Sequence, residues 1–447
     1  MITKNFPTAD DKMRLAEIKK LSLLLDNDQY PVFGLSKWVM KHFQETNDVL
    51  YLSHSIPDKI ADFFGDFVQG DIDAMIIESS DESQKEAVEK VVYWNDLKSM
   101  IYDIAYEQSG YGYSVLLGRK DDEGNFVIDK IPQDQTFLAS DGSVVFGSYI
   151  IKPNSVDGKD MWLYTQRYFM KDKIANVERK LYDTDLEGIA TEEVGLALYD
   201  ETLKPNENLE IDELPIAIVQ NSRRKKKGFA KSDLVDVLPQ IDEINERGTQ
   251  EAIQFLKNLD AKLVLPTSME DDDGKIPPFE FVTTEKEDVE PKYLINTNPM
   301  MTEIRNHCDK ELSYISWITS VPIFELLSGG IPERVESLRI KLFQAVRKTN
   351  SKRAEVKKGI ETMLRVALKF EKVTEIKPFK ISFSEVLPSD PLVDVQVEAL
   401  KLTSGISSKK SAIKRIENID DDTADAELAL IEQENKIAGI GDKNIGI

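Results

Sequence analysis

Apolar residues recur at helical spacing over much of the chain. From Thr8 to Leu25 they fall at Met13, Leu15, Ile18, Leu21, Leu24 and Leu25, which predicts an amphipathic helix. A second segment, Ile56–Phe67, carries Ile60, Phe63, Phe64 and Phe67 and stops at Gly70. A third runs from about Ser83 to Ser109, with Ala87, Val91, Trp94, Leu97, Ile101, Ile104 and Ala105 on one face. Gly110-Tyr111-Gly112 should end it, as glycines past a helix C-terminus do.

The pattern then becomes strand-like. Tyr113–Arg119 and Asn125–Ile131 flank Asp121-Asp122-Glu123-Gly124 and read as a β-hairpin. Phe137–Ile151 reads as a second pair around Asp141-Gly142, and Met161–Phe169 with Val177–Tyr182 as a third. Leu214–Val219 closes this α+β region.

Beyond Arg223 helices return. Ser232 is the expected N-cap of a helix reaching Asn258, in which Pro239 should bend or restart the backbone. Short β-like pieces, Lys262–Leu265 and Phe279–Val282, lie among acidic loops, and a helix is expected from Met300 to Ile318. Val321-Pro322, Gly329-Gly330 and Pro332 interrupt it. Glu333 to Glu371 then contains no proline and one glycine, Gly359. Its apolar positions run Val335, Leu338, Leu342, Val346, Val356, Ile360, Leu364 and Leu368, broken by a polar gap at Arg347–Arg353. A helix of roughly 37 residues would be about 55 Å long, so it crosses a large body, spans subunits, or kinks near Gly359. Pro388 and Pro391 mark a boundary, after which helices are expected at Val393–Leu402, Lys409–Glu417 and Ala424–Lys436.

Composition narrows the chemistry. The chain has 447 residues, 57 Lys+Arg against 80 Asp+Glu, and a net charge of −23. That length suits about two to four domains. One cysteine, Cys308, excludes a disulfide scaffold, and three histidines (His42, His54, His307) leave little for imidazole-based metal binding. Met1–Lys12 is polar, so no signal peptide is expected, and no apolar run reaches the ~18 residues of a membrane span. A soluble, acidic protein of a reducing compartment is the expectation. Phosphate-cradling glycine motifs and a G-x-S-x-G elbow are absent. Adjacent His307 and Cys308 would point about 100° apart on a helix, too far for a nucleophilic pair. Asp271–Asp273 and Asp420–Asp422 lack the alternating donors of a calcium loop. The concentrated basic patch is Arg223, Arg224, Lys225, Lys226 and Lys227, a candidate partner-binding surface.

Four stretches, in this order, resemble the portal proteins of long-tailed bacteriophages of Gram-positive hosts. They are Ile56–Asp71 (IPDKIADFFGDFVQGD), Leu214–Asn245 with LPIAIVQN and GFAKSDLVDVLPQIDEIN, Tyr293–Pro322, and Leu387–Glu434. The resemblance implies an α+β portal fold. Residues 1–230 would form the N-terminal part of an α/β wing, 231–258 and 298–318 two stem helices, and 259–297 a small α/β clip. A tunnel loop would follow at 319–332, the long wing-spanning helix and the rest of the wing at 333–387, and an all-α crown at 388–447.

The implied function is a ring-shaped DNA conduit, usually of about twelve copies, at one capsid vertex of the virion, assembled in the host cytoplasm. It would nucleate procapsid assembly with scaffolding and major capsid proteins, dock the large subunit of the terminase motor for genome packaging, and later hold head-completion or adaptor proteins as head–tail connector and DNA exit channel. Such a ring is a homo-oligomer and not an enzyme; it needs no cofactor and no membrane. The resemblance places DNA contact at Glu325, Leu326, Ser328, Gly329 and Gly330, and at the stem basics Lys257 and Arg305. A strongly acidic conduit would let double-stranded DNA pass non-specifically without phosphate pairing. Two other classes are weighed against it. Val397–Ile416 has the outline of a helix-turn-helix regulator, which the net charge of −23 opposes, and a carboxylate-based hydrolase lacks any distinguishable catalytic pair.

Overall fold

The computed structural model describes residues 6–37, 40, 50–70, 76–79, 81–153, 155, 160–221, 225–226, 228–259, 262–266, 281–284, 292–294, 300–323, 342–373, 375–383, 386, 391–417, 419 and 421–437. The chain divides into two compact units, Met1–Gly330 with Phe343–Ser384, and Ile331–Leu342 with Glu385–Ile447.

The first unit opens with α1 (Ala9–Leu25), whose start is fixed by a reciprocal cap. The Thr8 hydroxyl accepts from the Asp11 amide at 3.2 Å, and the Asp11 carboxylate accepts from the Thr8 amide at 3.1 Å. After a single turn, α2 (Tyr30–Phe33), comes α3 (Ile56–Gln69), with Pro57 in its first turn and Ile60, Ala61, Phe64 and Val68 buried. Strand β1 (Ile76–Ser79) follows. The single helix expected over Ser83–Ser109 is two, α4 (Glu82–Trp94) and α5 (Leu97–Gly110). The break is at Asn95-Asp96, where Asp96 adopts φ 43°. There the Asn95 backbone amide still closes the last turn of α4 on the Val91 carbonyl at 3.2 Å, while its side chain serves a strand, donating to the Phe126 carbonyl at 3.0 Å and accepting from the Ile128 amide at 2.6 Å.

The strands are β2 (Tyr113–Lys120), β3 (Phe126–Lys130), β4 (Thr136–Leu138), β5 (Val144–Ile151), β6 (Met161–Lys171), β7 (Ile174–Thr184), β8 (Ala190–Val194), β9 (Asn206–Asn208) and β10 (Ile216–Gln220). They form two antiparallel sheets, ordered β10-β2-β3 and β4-β5-β6-β7-β8 with β9 beside β7. The expected hairpins stand, and the third is longer than its apolar pattern because Asp172 and Lys173, both at positive φ, make a two-residue turn. A short hairpin, β11 (Lys225–Lys226) and β12 (Phe229–Ala230), leads into α6 (Leu238–Leu259).

Pro239 does not bend α6; it is the helix's second residue, where a missing amide costs nothing. A turn over Leu234–Val237 separates it from Ser232, whose hydroxyl accepts from the Leu234 amide at 3.0 Å. Strands β13 (Lys262–Pro266), β14 (Phe281–Thr284) and β15 (Lys292–Leu294) make a sheet in which β13 runs parallel to β14 and antiparallel to β15. Then α7 (Met300–Thr319) packs on α6.

The long helix is described as α8 (Phe343–Phe370); residues 333–341 lie outside the described residues. It does not break at Gly359. A Cβ there would stand 2.5 Å from Cγ2 of Val219, so glycine is what lets α8 cross β10 closely. Val356, Ile360, Met363, Leu364 and Ala367 share one core with α3, α4, α5 and the β10-β2-β3 sheet. Strand β16 (Phe379–Ser382) returns to pair with β1. A second core joins α1, α3, α6 and α7 through Leu24, Ile60, Phe64, Ile241 and Ile315.

In the second unit, α9 (Pro391–Thr403), α10 (Lys409–Glu417) and α11 (Asp421–Ile437) follow the expected apolar pattern, with Gly405 at φ 69° in the first turn. Among the described residues no helix is long and apolar enough to cross a membrane.

Candidate functional site

The polar gap in the pattern of α8 is where the first unit holds its buried charges. Lys352 is 0 % exposed, a rare state for lysine. Its ammonium lies 2.8 Å from the Asp233 carboxylate and donates to the side-chain oxygen of Asn221. One turn earlier, Lys348 reaches the other Asp233 oxygen at 2.9 Å and the Thr319 carbonyl at 2.8 Å. Both ammonium groups sit over the Phe64 ring, at 4.8 and 4.6 Å from its centre. Asp233 also accepts from the Ser109 hydroxyl and the Asn221 amide, each at 2.9 Å.

The backbone around this node is equally committed. The Asp233 amide donates to the Ser109 carbonyl at 3.0 Å, and the Asn221 amide to the Gly112 carbonyl at 2.8 Å. Gly112 has φ 94°, and a Cβ there would stand 2.3 Å from the Ala230 carbonyl oxygen. Next along α8, Arg353 donates to the carbonyls of Val68 (2.9 Å) and Phe67 (3.1 Å) at the C-terminal end of α3. Thr319 is the last residue of α7. Three successive cations of α8 thus meet the approach to α6, the end of α7 and the end of α3, and the two helix ends present the carbonyls that favour a cation.

Burial opposes the charge on Asp233, yet Lys352 and Lys348 outweigh it and hold the carboxyl well below the usual range. Burial pushes Lys352 down to about 8, against the pull of Asp233, so the pair is ionic at neutral pH. Burial also lowers Arg353, to about 10.

The acidic motif on α6 is spent on packing. Asn245 is buried, accepts from the His54 amide at 3.0 Å and donates to Gln29 (2.6 Å) and the Tyr51 hydroxyl (3.1 Å). Glu243 takes Arg247 at 2.7 Å and the His307 ring at 3.1 Å, joining α6 to α7. His307 therefore turns to a carboxylate, while burial raises the Cys308 thiol and keeps it from the thiolate form.

Of the residues singled out from the sequence, Arg305 is an exposed side chain paired with Glu251 of α6 at 2.7 Å. Lys257 lies on α6, with its side chain outside the described residues. Glu325, Leu326, Ser328, Gly329 and Gly330 lie outside them, as do Arg223, Arg224 and Lys227; Lys225 and Lys226 form β11, whose side chains are likewise outside. In the second unit Arg415 makes a two-pronged pair with Glu398 (2.9 and 2.8 Å), and Lys410 pairs with Asp425 at 2.7 Å. Cations that a DNA-reading helix would point at phosphates are spent here on carboxylates. Sequence reasoning missed Lys348, Lys352 and Arg353 as a site, although the gap at Arg347–Arg353 was its signature. No grouping of metal ligands occurs among the described residues.

A family model described as phage portal protein, SPP1 Gp6-like, matches residues 8–438. Among solved structures, the neck of a native gene transfer agent particle computed with C12 symmetry is 9% identical, covering 81% of this chain and 90% of that one, with a TM-score of 0.44. The neck of the empty particle, computed with C6 symmetry, is 9% identical over 86% and 94% of the two chains, with a TM-score of 0.46. No curated protein matches the chain.

Proposed function

We propose, for a chain that belongs to the SPP1 Gp6-like phage portal family, that its copies close into a ring at one capsid vertex through which the genome enters and leaves. The family is a structural, non-enzymatic component of the capsid. On this reading α6 and α7 are the stem, the sheet of β13, β14 and β15 belongs to the clip, residues 319–332 form the tunnel loop, and α9 to α11 build the crown. The rest of the described chain, with α8, is the wing. The clip would receive the terminase motor during packaging and head-completion proteins afterwards. Scaffolding and major capsid proteins would meet the ring during procapsid assembly in the host cytoplasm.

The observation that supports the reading most directly is the charged node on α8. A stem that passes DNA must keep its two helices fixed to the surrounding body, and Lys348 binds both Asp233, just before α6, and the last carbonyl of α7. The segment that leaves α7 toward the proposed tunnel loop starts at that carbonyl. A net charge of −23 fits a conduit in which phosphate pairing would be friction.

Light scattering on the purified chain, with negative-stain images of the same peak, tests this. A particle of about a dozen subunits with a central hole is expected. A chain that stays small even with its capsid and scaffolding proteins present rules the reading out.

A further inference from the structure

A cleft of about 910 Å³ opens in the first unit between α1 and the strands, a size at which proteins hold small organic molecules. Its walls are largely apolar. Ile18 and Leu21 of α1 line it on one side, Phe137 and Val145 on another, and Phe229 and Val235 on the approach to α6. A DNA conduit has no need of such a space.

Arg14 sets the chemistry of the cleft. Its guanidinium lines the space beside two aromatic rings, 5.1 Å from the centre of Phe137 and 5.0 Å from that of Phe229. Nη1 donates to the Tyr113 hydroxyl at 2.8 Å and the Gln133 carbonyl at 3.0 Å, and Nη2 to the Thr136 carbonyl at 2.6 Å. All three acceptors are neutral. Burial pushes the Tyr113 hydroxyl up to about 12, so it stays a phenol and brings no balancing charge. Among the described residues Arg14 has no carboxylate partner, and its Nε–H and one Nη2–H have no acceptor. Donors on neighbouring guanidinium nitrogens match the two oxygens of one carboxylate. The other cations of the cleft are spent, Arg167 on Asp141 and Glu178, and Lys231 on Asp236. Asp10 and Glu17, both exposed, line it too, so a polyanion such as a nucleotide would meet like charge. A single carboxylate is what Arg14 alone can balance.

We propose that this cleft binds a small organic monocarboxylate, its apolar body against Ile18, Leu21 and Val235 and its carboxylate on Arg14. The site stands on the cleft alone and does not depend on the ring reading. The wall from Phe229 to Ser232 runs directly into Asp233, the partner of Lys348 and Lys352. An occupant therefore ties α1 to the segment that anchors the proposed stem.

The test titrates the full chain calorimetrically with octanoate and phenylbutyrate, each beside the alcohol and the amine of the same skeleton. At least one carboxylate should bind with a Kd of about 1 mM or below, about ten-fold or more tighter than its alcohol and amine. Arg14→Gln should abolish that preference and leave carboxylate and alcohol equal. Because Arg14 also ties α1 to β4, a second variant keeps it in place. Ala139 lines the cleft and is half-buried, so Ala139→Trp should fill the space and weaken the carboxylate about ten-fold or more. Bound carboxylate should slow hydrogen exchange at residues 9–25 and 229–235. Failure of both carboxylates to bind at about 1 mM would overturn the inference, as would equal binding of carboxylate and alcohol by the unaltered chain. So would binding that Ala139→Trp leaves undisturbed, or protection confined to other residues. Each of these outcomes removes the cleft proposal and leaves the ring reading where it stands.

Discussion

Lys352 and Asp233 define what a single residue can do here. Removing Asp233 leaves two cations beside Phe64 with no carboxylate, so Asp233→Ala should cost about 3–5 kcal/mol in urea unfolding. Adding Lys352→Met should return part of that loss, because a charge that no longer has its partner leaves the interior. A double variant weaker than the sum of the two singles would contradict this account of the node. Lys348→Met should act locally, freeing the Thr319 carbonyl. The amides of Val321 and Ile323, which donate to side chains of Thr319 and Ser316, should then exchange faster with little change in global stability. The gap at Arg347–Arg353 was legible as a run of polar residues in an apolar helix. Its burial was not, because a polar run reads the same whether it faces water or a carboxylate from a distant part of the chain.

Among the elements, hydrophobic period located most helices and strands, and errors fell where one side chain overrode it. Asn95 split a helix by serving a strand edge, while Pro239, expected to bend or restart a helix, stands at the start of one. Gly359, where a kink was one of three alternatives for the long helix, is a crossing point: Gly359→Ala should cost about 1–3 kcal/mol through overpacking against Val219, and much of that should disappear in a Val219→Ala background. The same change at Gly112 should cost more, since strain at positive φ adds to a contact with a backbone oxygen that cannot rotate away. In the second unit, the bonds from Arg415 and then Lys401 hold Glu398 down to about 2 from an ordinary 4.5. A lowered carboxylate contributes stability that is present above the unfolded value and lost as pH falls through the folded one. Contact between α9 and α10 should therefore weaken between about pH 4.5 and 2, and a Glu398→Gln chain should lose that acid transition in near-neutral to acid dichroism scans.

Across the whole molecule, the order of four weak motifs carried more than any one of them, and the family they suggested is the one whose model matches residues 8–438. The residues expected to touch DNA follow from resemblance alone, since no local pattern of charge or period distinguishes a tunnel loop from another glycine-containing turn. The purified chain should fail to retard short duplex DNA at moderate salt, because its net charge repels phosphate and α10 has cations already bound to Glu398 and Asp425. Retardation at that salt would instead favour the helix-turn-helix alternative.

The ammonium of Lys348 also sets an order of events during synthesis. Asp233 and Thr319, the two groups it joins, leave the ribosome before it does, and Lys348 follows Thr319 by 29 residues. A nascent chain ending at residue 342 holds both helices of the proposed stem and the apolar core they share, yet lacks the ammonium that ties Asp233 to the last carbonyl of α7. Such a truncated chain should be cut readily by protease between Asp233 and Ile323, and become resistant there once α8 is complete.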